Sequence, residues 1–151
     1  MNKSRRSMLK VTGAFAILVA AGIITEKQAL AADGRSGFEA KSLAEAMKAL
    51  GGSAAASKDI TITAPDIAEN GAVVPVGVST TLPNVQEIYI LVDKNPQPLS
   101  ASFMIPAGTE ASVQTRLKLG QSSDVMAVVK ADGKLYSATK ETKVTLGGCG
   151  G

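Results

Sequence analysis

Hydrophobic positions along this chain follow three rules in turn. From Val11 to Ile24 they run nearly unbroken for 14 residues, relieved only by Thr12, Gly13 and Gly22. Between Glu39 and Leu50 they recur at helical spacing, with Leu43, Met47 and Leu50 at i, i+4 and i+7 on one apolar stripe. From Ile60 onward the period drops to two, the spacing of a strand with one face in a core.

The helical stretch is predicted to begin under a Ser36 cap and to stop at Gly51-Gly52, because glycine readily takes the conformation that follows a helix C-terminus. A lone stripe of this kind is expected to pack on its own domain rather than dock a partner. Ser53–Ser57 reads as a small-residue linker. Ile60-Thr61-Ile62-Thr63 then alternates until Pro65, and Asn70-Gly71 marks a tight turn. Ala72–Val78 is strand-like, with Pro75 pointing to an edge or a bulge because proline cannot donate to a ladder. Val85–Val92 is a β-branched run around Tyr89, and Asn95-Pro96-Gln97-Pro98 a loop. Ser102–Ile105 is a short strand, and Val113, Thr115, Leu117 and Leu119 alternate cleanly with polar residues. Val125–Val129 follows. Asp132-Gly133 then predicts a hairpin into Leu135–Ala138, and Lys143–Leu146 makes a last strand. Seven or eight short strands with turn signals between them predict an all-β fold. We expect an immunoglobulin-like antiparallel β-sandwich over residues 58–146, with one N-terminal helix within 32–52.

Charge alters the picture only once the first segment is set aside. Arg5 and Arg6 stand just ahead of the apolar run, which at 14 residues is short of the roughly 20 that a membrane span needs. This pattern matches a twin-arginine export signal over residues 1–31, with Ala29-Leu30-Ala31 as a cleavage site and no anchor left behind. The expected compartment is the periplasm. The whole chain has 16 basic and 13 acidic residues; removing the leader's five basic and one acidic leaves 11 and 12. The basic balance therefore belongs to the leader and does not describe a nucleic-acid surface. No cofactor site is apparent: the chain has no histidine, one cysteine and no carboxylates clustered at metal spacing. Export of a folded chain without a cofactor suggests assembly with a partner before export.

The candidate chemistry sits at residues 147–151. Cys149 is the single cysteine, between Gly147-Gly148 and Gly150-Gly151. Glycines offer little packing surface and resist fixed structure, so the pattern predicts a sulfur on a thin, flexible carrier arm that can enter narrow cavities. Two other classes compete. A secreted module cross-linked through Cys149 needs no thin tip on both sides of the sulfur. A thiol enzyme would surround its cysteine with a cation, a helix N-terminus or a second cysteine, and the neighbouring sequence has none of these.

With these residues laid out, the chain resembles the SoxY family, sulfur-carrier subunits of the periplasmic thiosulfate-oxidising Sox system. The resemblance rests on Gly147–Gly151, on Pro65-Asp66-Ile67-Ala68-Glu69-Asn70-Gly71-Ala72-Val73-Val74-Pro75-Val76, on Asn95-Pro96 with Phe103, and on Thr115–Leu119. It covers nearly all of the chain after the leader. It implies an immunoglobulin-like sandwich, a heterodimer with a SoxZ-like subunit and thiosulfate-derived adducts on Cys149. Separate Sox enzymes would load, hydrolyse and oxidise the bound sulfur, leaving this chain a non-catalytic carrier.

Overall fold

The computed structural model describes residues 36–145. The first of these, Ser36–Glu39, form a 3-10 turn, and the α-helix α1 follows at Leu43–Leu50. The helix thus starts later than Ser36 predicts, because a second cap wins. Ser42 Oγ accepts the Glu45 N–H at 3.2 Å, while Glu45 Oε2 accepts the Lys41 N–H at 3.0 Å. That reciprocal arrangement fixes a helix start more firmly than a lone serine. At the other end Gly51, at φ 129°, closes the helix as expected, with Gly52 N–H donating to Met47 O at 2.9 Å.

Nine strands follow: β1 (Ala55–Ala56), β2 (Ile60–Thr63), β3 (Ile67–Ala68), β4 (Val74–Thr80), β5 (Val85–Val92), β6 (Leu99–Met104), β7 (Ser112–Leu117), β8 (Ser123–Ala131) and β9 (Lys134–Val144). They form two sheets. One runs β1-β9-β8-β5-β6 with β3 also on β9, and the other runs β2-β4-β7. The described residues therefore form an all-β sandwich with one α-helix. Pairing is antiparallel except where β1 and β3 join β9 in parallel. The parallel contacts arise because the chain alternates between sheets, passing from β9's edge to β2, back to β3, and across again to β4.

Several expectations change on contact with the structure. Leu135–Ala138 and Lys143–Leu146 are not separate strands, since β9 runs unbroken over 11 residues. Its ladder to β8 extends from Ala131↔Lys134 to Ser123↔Thr142, and that pairing carries the strand through residues lacking apolar alternation. Ser53–Ser57 contains β1, held by backbone pairing to Tyr136 and Ser137 rather than by side chains. Pro75 lies in β4, the middle strand of its sheet, with no bulge in the ladder to β7. It is tolerated because β2 reaches only Gly77, so Pro75 faces no third strand. The alternation supports this. Thr80 N–H donates toward β7, to Ala111 O, which turns the backbone of Gly77 and Pro75 toward the other side.

The core lies between the sheets. Val74, Val76, Val78 and Leu117 face Ile88, Ile90, Val92, Val125, Ala127 and Val129. β5 is buried on both faces, which explains its unbroken apolar run. Its alternate residues Tyr89 and Leu91 join Leu99 and Val128 beneath α1, where Ala46 is fully buried and Leu43, Met47 and Leu50 pack against the cluster. The helical stripe is core. The hairpin expected at Asp132-Gly133 is present, with both residues at positive φ (49° and 73°) as a tight two-residue turn requires.

Tyr89 ties the helix-covered face to a charge pair. It is 8 % exposed. Its hydroxyl donates to Glu87 Oε2, which lies 3.7 Å from Lys130 Nζ. Burial first, then this hydrogen bond and the Glu87 charge, push the phenol well above its ordinary value of 10.0. Below about pH 10 both folded and unfolded chains keep the proton, so stability is level. Above it the unfolded chain ionises while the folded one does not, and stability falls by up to about 1.4 kcal/mol per pH unit. Urea unfolding between about pH 9 and pH 11 should show this decline, and Tyr89→Phe should flatten it. Equal slopes in the two proteins would show that this phenol is not the linked group.

Candidate functional site

Cys149, Gly147, Gly148, Gly150 and Gly151 lie outside the described residues, as do Arg5 and Arg6. What the structure shows is the root from which the chain continues toward the cysteine. Among the described residues no three carboxylates gather as a metal site would require.

β8 pairs with β9 as far as Thr142, and β9 then needs other partners. On its free edge β3 pairs Ile67 with Lys143 and Ala68 with Val144. Lys143 N–H donates to Asp66 O at 2.9 Å, and Thr145 N–H to Ala68 O at 3.1 Å. Upstream, Lys140 Nζ donates to Ala64 O at 2.6 Å and meets Asp66 Oδ1 at 3.1 Å. On the opposite edge, past the last rung of β8, Ser122 Oγ accepts the Val144 N–H at 2.9 Å. The backbone of Lys143–Thr145 is thereby held from both sides.

The local sequence accounts for this clamp. Pro65 ends β2, since its ring lacks the N–H that another rung would use. The chain turns toward β9, pairs for two residues, and turns again at Asn70-Gly71. There Asn70 Oδ1 accepts the Ala72 N–H at 3.0 Å. Gly71 is required by space. A Cβ there would stand 2.6 Å from Leu119 O and 2.8 Å from Val144 Cγ1, while Gly71 O accepts the Leu119 N–H at 2.7 Å. Thr142, next to the clamp, is fully buried, and its Oγ1 has no hydrogen-bond partner among the described residues.

The departure of β2 also opens a cleft of about 880 Å3 in the three-stranded sheet, beside Pro65, Pro75, Gly77, Gln114 and Arg116. Neither this cleft nor the clamp is apparent from sequence patterns alone. Pro65 and Asn70-Gly71 signal that the chain turns, and only the fold shows what it turns around. The large hydrophobic residues exposed among those described are Ile67, Val73 and Met104, and the first two sit in the clamp segment or directly after it.

The comparisons with known proteins fall into two tiers. A superoxide reductase (neelaredoxin) from Ignicoccus hospitalis matches at 24% identity, over 57% of this chain and 79% of that one, with a TM-score of 0.51. A putative superoxide reductase from Thermotoga maritima matches at 17% identity, over 62% and 88% of the two chains, with a TM-score of 0.52. These define the class by fold alone, a β-sandwich of this connectivity. The sulfur carrier protein SoxY from Chlorobium limicola f thiosulfatophilum is 40% identical, over 68% of this chain and 94% of that one, with a TM-score of 0.61. The profile of the SoxY family, described as sulfur oxidation protein SoxY, matches residues 46–149. No curated protein sequence matches. The chain belongs to the SoxY family.

Two substitutions test the root from opposite directions. Gly71→Ala forces Leu119 or Val144 to move and should cost roughly 1–3 kcal/mol, with faster hydrogen exchange at the Lys143 and Thr145 amides. Thr142→Val removes an unsatisfied buried hydroxyl at nearly constant shape and should raise stability by about 1 kcal/mol in thermal unfolding. A stable Gly71→Ala protein with unchanged exchange at Thr145 would show that the close approach does not hold the root.

Proposed function

We propose that this chain is a covalent carrier of sulfur intermediates, with Cys149 as the attachment point and Gly147–Gly151 as a thin arm. As a SoxY-family protein it is a sulfur carrier of sulfur oxidation. The observation that supports the finer reading is the root. The strand leading to the cysteine is clamped up to Thr145, four residues before it, and the family match runs to residue 149 itself. Four extended residues reach about 14 Å, enough to pass a sulfur through a narrow opening while the sandwich stays outside.

The chemistry follows from what a thiolate can do. Coupled to thiosulfate, it forms a new S–S bond and gives two electrons to an acceptor held by a partner enzyme. The product on Cys149 is a thiosulfonate. Hydrolysis then releases sulfate and leaves a sulfane sulfur on the cysteine for further oxidation elsewhere. Covalent attachment keeps reactive intermediates from diffusing away and raises their concentration at each enzyme visited. In this reading the chain itself is not an enzyme, and it binds no cofactor.

The partners and compartment belong to the same proposal. A SoxZ-like subunit would form a heterodimer with this chain, and the Arg5-Arg6 signal would take the assembled pair to the periplasm. The interface should exceed about 1,000 Å2 in total and leave the arm free. Co-expression should give a soluble heterodimer, and a monodisperse, thermally stable isolated chain would count against it.

Intact mass of protein from thiosulfate-grown cells should show sulfur additions that a reductant removes. Cys149→Ser should abolish both the additions and thiosulfate oxidation without altering the fold. Gly148→Val and Gly150→Val, which thicken the arm, should block transfer with little effect on thermal stability. Normal thiosulfate turnover in the serine variant would end the carrier reading.

A further inference from the structure

Three asparagines lie among the described residues, and the fold treats one of them differently. Asn95 is tied at both ends of its side-chain amide. Its Nδ2 donates to Lys118 O at 2.7 Å and its Oδ1 accepts the Gly120 N–H at 3.2 Å. The residue after it, Pro96, has no N–H to lose. Asn84 Nδ2 donates to Asp132 Oδ1 at 2.9 Å, and the branched side chain of Val85 crowds the peptide that follows. Asn70 is exposed, and its Nδ2 donates to no acceptor among the described residues. Gly71 comes next, the least hindered successor an asparagine can have. The Gly71 N–H, too, donates to nothing among the described residues.

The Asn70 side chain is folded back over that peptide. Its Oδ1 accepts the Ala72 N–H at 3.0 Å, and Asn70 O accepts the Val73 N–H at 3.4 Å. The first bond closes a ring that contains the Gly71 nitrogen and holds the side-chain carbonyl against the turn. It also sets a donor on the oxygen that becomes negative when the amide carbon is attacked. Attack by the deprotonated Gly71 nitrogen on Asn70 Cγ forms a C–N bond, and the bond to Nδ2 breaks. Nδ2 leaves as ammonia, taking back the proton that the Gly71 amide gave to solvent. Water then opens the succinimide ring. Opening on one side gives an ordinary aspartate. Opening on the other gives isoaspartate, whose main chain runs through the former side chain and is one carbon longer. No electrons are exchanged.

The turn has no room for that carbon. Gly71 O accepts the Leu119 N–H at 2.7 Å, and a Cβ on Gly71 would stand 2.6 Å from Leu119 O and 2.8 Å from Val144 Cγ1. Asn70 follows closely on Ala68, which pairs with Val144 and accepts the Thr145 N–H at 3.1 Å. We propose that Asn70 is a modification site, at which spontaneous deamidation to isoaspartate lengthens the turn and releases the clamp on Lys143–Thr145. The substrate is the chain's own amide, and the co-reactant is water. The inference needs only the described fold and holds whether or not Cys149 carries sulfur. On the carrier reading it gives each molecule a limited working life, because the lost amide is not restored.

Full-length protein, kept reduced and incubated at mildly alkaline pH, supplies the test, since hydroxide generates the attacking nitrogen. The tryptic peptide from Asp59 to Lys94 should gain about 1 Da. Fragmentation should place that gain at Asn70, in two chromatographic forms of which the isoaspartyl one predominates. Asn84 and Asn95 should stay intact over the same period. The Lys143 and Thr145 amides of the aged protein should exchange roughly tenfold faster than those of fresh protein. Asn70→Ser, whose hydroxyl can accept the Ala72 N–H and has no amide to lose, should keep its protection throughout. Fresh Asn70→Asp adds the charge without the extra carbon and should exchange like the parent. An unmodified Asn70, or Asn84 and Asn95 modified as fast, would overturn the site. Isoaspartate at Asn70 with unchanged exchange would overturn the release. So would fresh Asn70→Asp exchanging like the aged parent, or Asn70→Ser losing protection with age.

Discussion

The free edge of β9 is the constraint on which the other arrangements depend. β8 pairs along one side of this long strand, and the other side would be an open row of donors and acceptors. The chain covers it by crossing between sheets, laying β1 against Tyr136 and Ser137, and β3 against Lys143 and Val144. Lys140 bridges the interval through Ala64 O and Asp66. Each crossing also laces the two sheets together on that side of the sandwich. β6 stays as an edge of one sheet, and β2 and β7 stay as the edges of the other.

The same economy shapes the core. With three Phe, two Tyr and no Trp, the interior must be built from small branched side chains that each bury modest area. Burying a strand on both faces compensates, because every residue then contributes. β5 and β8 are used this way, with Ile88, Ile90, Val125 and Val129 on one side and Leu91 and Val128 on the other. That solution makes α1 obligatory, since without Leu43, Ala46, Met47 and Leu50 the second face would lie open to water. The helix belongs to the sandwich as a third layer over part of one sheet.

What could be read from the residues follows from how local each signal is. The alternation of Val113–Leu119, the β-branched run of β5 and the Asp132-Gly133 hairpin are all local, and the structure has them where they were expected. β1 is two alanines with no pattern to detect, and β9 passes through Thr139-Lys140-Glu141-Thr142, whose continuity comes from β8 rather than from apolar spacing. Pro75 argues for an edge, and the surprise is that an edge can exist locally inside a middle strand when its neighbour stops early. The lone cysteine was noticeable in the sequence because composition isolates it. The clamp was not, because the need for glycine at position 71 is set by Leu119 and Val144, residues far away in sequence.

On the carrier reading, this division between local and long-range features has a mechanical sense. A thiol whose neighbouring sequence supplies no activating group would depend on each enzyme it visits for reactivity. Delivery then depends on where the arm starts and how little it drags with it. A frayed root would lengthen the tether and spread the sulfur over a larger volume, lowering its effective concentration at any one site. Hydrogen bonds to Asp66, Ala68 and Ser122 limit that loss by holding the backbone up to Thr145. The short reach and the rigid root are thus two sides of one requirement. On that reading glycines would thin the tip so that it can enter, while the clamp holds the chain up to Thr145.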